Sequence, residues 1–159
     1  MFRFPKHQEV AEQLKVEIAL LPKLKERVEI PIPDFIYVGT QSNGLPFVGY
    51  RKIQGTNCVK KSLDALPDNE RAGVFKQMGD FLVHMHSFPV EVAKQCGVQA
   101  TAFRDDFSSD LITIKQNVFH TLSADTQQYV ERLYEKYLSD SENFLYTPTL
   151  IHADFSDDH

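Results

Sequence analysis

The densest chemistry in the sequence lies at residues 149–159, Thr-Leu-Ile-His-Ala-Asp-Phe-Ser-Asp-Asp-His, where His152, Asp154 and His159 fall within eight residues. Leu150 and Ile151 read as the end of a short apolar strand. One carboxylate and two imidazoles would therefore stand where a strand runs into a polar loop, a common location for active sites. Two readings suit the pattern. His152, Asp154 and His159 could ligate a transition metal in a hydrolase, since imidazole and carboxylate are common ligands for such ions. Alternatively, the aspartates and Ser156 could simply cap a turn. Spacing alone leaves both open. His84 and His86 stand two positions apart on a helical run, so they face different sides and cannot readily chelate one ion. Cys58 and Cys96 lack CxxC spacing and read as free thiols in a reducing compartment.

The elements that must position these residues follow from periodicity. Phe2-Arg3-Phe4 alternates like a half-buried strand, and Pro5 ends it. From His7 to about Arg27 the steps of three and four at Val10, Leu14, Ile18, Leu21 and Leu24 predict a helix, with Pro22 placed to break or kink its end. Ile30-Pro31-Ile32-Pro33 must be extended. Phe35–Gly39 and Pro46–Ile53 read as paired strands around Gln41-Ser42-Asn43-Gly44, where Asn-Gly favours the positive φ of a tight hairpin. Beyond Gly55 the chain turns helical. Val74, Phe75, Met78, Phe81, Leu82 and Met85 form one stripe, which Pro89 terminates. Leu111, Ile114, Val118 and Phe119 form a second, over 107–122. Tyr129, Val130, Leu133, Tyr134 and Tyr137 form a third, with Ser123 as its cap.

Composition bounds the possibilities without choosing among them. A formal charge of −5 disfavours nucleic acid as a partner, and 42% apolar residues suffice for a core. No run approaches the roughly 20 apolar residues that span a bilayer. The segment Met1–Lys6 has no apolar stretch of signal-peptide length, so the expected location is cytoplasmic.

The order strand, helix, hairpin, helices, His-x-Asp loop carries a resemblance. Leu150–His159 resembles the catalytic loop of the aminoglycoside phosphotransferase family, a His-x-Asp motif followed by Asn or His, related to the catalytic loop of protein kinases. Phe2–Lys6 is similar to the strand that ends near the nucleotide-binding lysine. Glu17–Pro22 is similar to the helix carrying that lysine's carboxylate partner, and Pro46–Gly55 to the strand and hinge that hold the base.

The resemblance implies an α+β, protein-kinase-like fold: a partial β-rich N-terminal lobe over residues 1–55, with a hinge near 51–55, and a partial α-helical C-terminal lobe over 56–159. It implies a single partial phosphotransferase domain, 1–159, moving the γ-phosphoryl group of ATP or GTP, with Mg²⁺, to a small-molecule hydroxyl such as an aminoglycoside's. Asp154 would accept or orient the hydroxyl proton, His159 would face the metal, and His152 would brace the loop. Lys6 would meet the phosphates and be held by Glu17, with Glu9 and Glu12 as rivals, while Arg51 and Ile53 would lie at the base. Relatives have a phosphate-covering strand pair before the lysine strand and a metal-binding Asp after the catalytic loop, so a chain that is weak or inactive by itself is expected. A pseudokinase-like nucleotide-binding fragment and a metal-dependent hydrolase are the alternatives.

Overall fold

The computed structural model describes residues 1–55, 58–101 and 103–155. Strand β1 (Phe2–Arg3) leads into helix α1 (Gln8–Lys25), then strands β2 (Phe35–Thr40) and β3 (Pro46–Tyr50). Helices α2 (Lys60–Asp64), α3 (Asp68–His86), α4 (Val90–Gln95), α5 (Phe103–Asn117) and α6 (Ala124–Ser139) follow, with single 3-10 turns at Phe119–Thr121 and Ser141–Phe144. The chain forms two compact units, residues 1–98 with 149–159, and residues 99–148.

In the first unit β3 is the central strand of an antiparallel sheet ordered β1-β3-β2. Arg3 pairs with Val48 and Phe2 with Gly49, while Val38 pairs with Val48 and Tyr37 with Gly49. Directly opposed residues share a face, so Phe2, Tyr37 and Phe47 stand on one side and Arg3 with Val48 on the other. Helix α1 packs on β3. Ala11, Leu14 and Val48 are fully buried there. The opposite face is aromatic and half exposed: Phe2 and Phe4 lie 6.1 Å apart and Phe4 and Phe47 5.1 Å apart. Glycine lets the rings lie close to the sheet, because a Cβ on Gly39 would come within 2.5 Å of the Phe47 ring and one on Gly49 within 2.5 Å of Phe2, so the rings would have to shift.

The hairpin turn falls over residues 41–44 as expected, with one positive-φ residue. The Gly44 amide donates to Gln41 O at 3.0 Å and only Gly44, at φ +85°, is left-handed. This is a three-residue connection, in which a turn is followed by one positive-φ residue. The Gln41 side-chain amide ties it to the end of β1 by donating to Pro5 O and Pro46 O.

A second core joins α1 to the helices. Leu24, Val28, Phe81, Met85, Phe88, Ala93 and Leu150 form one buried cluster. Pro22 does not end α1, which continues to Lys25 and so delivers Leu24 to this cluster. The stripes were coarser than the packing: Ala11 rather than Val10 is buried on α1, and Phe75 of α3 is exposed. Thr149–Ile151 is irregular rather than a strand. It belongs to no sheet among the described residues, and Leu150 is held by burial in the cluster instead.

In the second unit α5 packs on α6. Ser123 caps α6 as expected, its Oγ accepting from the Thr126 amide. Phe107, Tyr137 and Phe144 meet edge to face, and Lys115 pairs with Glu131 at 2.7 Å. Tyr129 and Leu133 of the expected stripe are exposed. Asp105 and Asp106 occupy the first turn of α5, where carboxylates favour the helix dipole.

Leu14→Ala should cost about 2–4 kcal/mol of stability, the usual loss for emptying a packed leucine site. Gly44→Ala, with no atom within 4 Å of its new Cβ, should cost about 1–2 kcal/mol for the left-handed backbone alone. Chemical denaturation of both variants measures these losses.

Candidate active site

Two groups of side chains in the first unit have the character the sequence pointed to. The first is a cation and a carboxylate between β1 and α1. Alternation on β1 turns Arg3 toward the α1 side, and Glu17 lies in the middle of α1. Their contact is two-pronged: Arg3 Nη1 donates to Glu17 Oε2 at 2.5 Å and Nη2 to Oε1 at 3.0 Å. The planar guanidinium matches a carboxylate in this way, and lysine cannot. The hydrogen bond that Arg3 donates to Glu17 raises the Arg3 pKa above its already high ordinary value, against an opposing effect of burial. Arg3 therefore stays cationic wherever the fold persists.

This corrects the expected pairing. Glu17 holds Arg3, not Lys6, and Lys6 has no hydrogen bond or ion pair among the described residues. The physical reason is Pro5, which ends the strand before Lys6 and leaves that residue exposed in a bend. The rival carboxylates are elsewhere: Glu12 accepts from Lys15 and Gln8, and Glu9 is exposed in the first turn of α1. The signal for Arg3 was already present in Phe2-Arg3-Phe4, since period-two alternation puts the arginine alone on its face. Its side chain and that of Glu17 are 39% and 34% exposed, so the pair adds about 1 kcal/mol or less to stability. Its consequence is placement of a charge.

The second group is the loop after Leu150. His152, Asp154 and Phe155 are exposed, while Leu150 is buried in the core. Ala153 has φ +66°. The His152 ring lies edge-on to Phe155 at 5.5 Å, and Phe155 stacks on Phe81 of α3 at 6.1 Å. His159 lies outside the described residues. Helix α1 serves both groups, with Glu17 in its middle and Leu24 beside Leu150 in the core cluster.

Arg51 and Ile53 are not brought to Arg3. They follow the end of β3 and line a recess of about 480 Å³ with Pro31, Ile32, Asp34, Ile36, Lys52 and Gln54. Ile36 belongs to β2 and Arg3 to β1, the opposite edges of the sheet. His84 Nδ1 donates to the Asp80 carbonyl oxygen at 2.7 Å, one turn back on the same helix. Cys58 and Cys96 are free thiols. Among the described residues no three His, Cys, Asp or Glu side chains group to hold a metal ion, and no helix is long and apolar enough to cross a membrane. The described donors thus do not assemble a magnesium site, although Asp154 carries hard carboxylate oxygens of the kind Mg²⁺ takes.

Comparison with known proteins places this arrangement. The chain resembles a GDP and kanamycin complex of an APH(2") enzyme with a TM-score of 0.85 and 37% identity, over 99% of this chain and 53% of that one. It resembles the GDP complex of wild-type aminoglycoside 2'-phosphotransferase-IIIa equally, with a TM-score of 0.85 and 36% identity over 99% of this chain and 53% of that one. A streptomycin-ATP-APH(2")-IIa ternary complex matches with a TM-score of 0.72 and 25% identity, over 98% of this chain and 52% of that one. The chain therefore spans about half the length of these structures. The profile of the phosphotransferase enzyme family (APH) matches residues 1–159. With its kinase-like three-stranded sheet, its paired Arg3 and Glu17 and its His-x-Asp loop, the chain belongs to that family.

Proposed function

We propose that this chain carries the phosphate-binding cation and the catalytic carboxylate of a kinase that moves the γ-phosphoryl group of ATP or GTP to a hydroxyl of a small molecule. An aminoglycoside is the acceptor class, from the likeness to structures bound to kanamycin and streptomycin. The observation that carries the reading is the two-pronged Arg3–Glu17 pair, a cation of low stabilising value held in a fixed position at a sheet edge.

The residues divide the work as follows. Arg3, held by Glu17, meets the nucleotide phosphates with a permanent charge. Lys6, exposed in the bend that follows the strand, is a second cation. The base lies against the backbone of residues 51–53, whose side chains turn into the recess beside β2. His152 braces the loop through the Phe155 ring. Asp154 accepts the acceptor's hydroxyl proton as that oxygen bonds to the γ-phosphorus. The bond from phosphorus to the β,γ-bridging oxygen breaks, ADP or GDP leaves, and the proton passes on to solvent. Such transfer asks little covalent chemistry of the protein, so positioned charge does most of the work. Magnesium would neutralise nucleotide charge when bound, and His159 remains the proposed residue on its side. The proposed location is the cytoplasm.

Thermal unfolding with Mg-ATP or Mg-GTP tests the phosphate site. A nucleotide at 100 times its Kd should stabilise the wild-type chain by about 2.7 kcal/mol. Arg3→Met should abolish most of that gain, Arg3→Lys should keep part of it, and Lys6→Met should leave it nearly intact. A loss with Lys6→Met and none with Arg3→Met would reverse the assignment. Asp154→Asn should retain nucleotide binding and lower phosphoryl transfer by about 10²–10⁴-fold in a radiolabel assay. Nucleotide binding with no transfer by the wild-type chain would assign it a non-catalytic role.

A further inference from the structure

The chain passes from core to solvent within four residues, from the buried Leu150 to the exposed Asp154. Extended backbone would send residues 152 and 154 to the same side. The left-handed backbone of Ala153 breaks that alternation. Among the described residues Ala153 is the one non-glycine position with positive φ, a conformation that costs free energy wherever a Cβ is present. Surrounding contacts must therefore impose it.

Rings meet on either side of Ala153. His152 meets Phe155 edge to face, with centroids 5.5 Å apart and planes at 77°. Phe155 lies nearly parallel to Phe81, 6.1 Å away with planes at 19°. Phe81 is itself a buried member of the core cluster. The two residues flanking Ala153-Asp154 thus close on each other, and the closed loop rests on α3. Edge-to-face and offset-stacked geometries are favourable arrangements of aromatic rings. An aliphatic side chain would fill the space without fixing the angles.

We infer that Phe155 is a positioning residue for the Asp154 carboxylate: its ring, bridging His152 and Phe81, clamps the loop in the left-handed turn at Ala153 that presents Asp154 to the acceptor. The inference rests on the role proposed for Asp154. The clamp itself can be read without activity.

The test compares the wild-type chain with Phe155→Tyr, Phe155→Ala and Phe81→Leu. The Phe155 ring is 41% exposed, so a tyrosine hydroxyl can reach solvent and the ring is kept. In isotope-labelled protein, the close amide-to-Hα approach of a positive-φ residue gives Ala153 a strong intraresidue Overhauser signal. That signal should persist in Phe155→Tyr and weaken in Phe155→Ala and Phe81→Leu. With Mg-GTP and kanamycin as probes, the last two should lose about 10–100-fold in kcat, with KM for nucleotide little changed, as expected for a misplaced catalytic group. An unchanged Ala153 signal in both variants overturns the clamp. So does a fall in rate that only follows the unfolded fraction. If the wild-type chain transfers no phosphate, the proposed function fails while the Ala153 signal still decides the clamp.

Discussion

Burial of Leu150 against Leu24, Val28, Phe81, Met85, Phe88 and Ala93 is the constraint on which the rest of the arrangement depends. These residues come from α1, α3 and α4, from the segments that follow α1 and α3, and from residue 150, so one cluster joins positions more than 120 apart in sequence. A buried leucine contributes about 1.5–3 kcal/mol. No ladder hydrogen bonds supplement it here, because Thr149–Ile151 is in no described strand. Apolar packing of Leu150 sets where the His-x-Asp loop leaves the core. Helix α1 carries both Leu24 of this cluster and Glu17, so the cation and the base of the proposed site are tied to one helix.

Charge and packing contribute differently to this site. The Arg3–Glu17 pair is partly exposed and adds little stability, yet its two parallel hydrogen bonds leave the guanidinium little freedom of direction. A lysine at the same place would be held as a point charge with rotational freedom. Fixed direction is what phosphoryl transfer demands, since a preorganised cation needs no rearrangement as charge develops. The loop around Asp154 achieves direction by rings and a strained backbone instead. Both devices spend conformational freedom to aim a group.

The sheet and helices were legible in large part because their signals are local. Phe2-Arg3-Phe4, the Asn43-Gly44 turn and the Phe81/Met85 stripe name strand, hairpin and helix by period and turn chemistry. Errors arose where two segments had to be compared. Val10 and Ala11 are adjacent on α1, and only the approach of β3 shows that Ala11 is the buried one. Exposure of Tyr129 and Leu133 is likewise a matter of what packs beside α6, which the stripe itself cannot show.

The sequence by itself determined the family, the kinase-like α+β order and the identity of Asp154 and Glu17 as candidates, because spacing along one chain preserves motif and periodicity. Only the tertiary structure decided which cation Glu17 holds. Arg3 and Lys6 are three residues apart and both cationic, but strand alternation turns Arg3 toward α1 while Lys6 is exposed in a bend after Pro5. It alone also decided that Arg51 and Ile53 line a recess at the far edge of the sheet from Arg3, and that Phe155 joins the loop to Phe81. Direction of a side chain depends on what packs against it, and that is a property of residues distant in sequence.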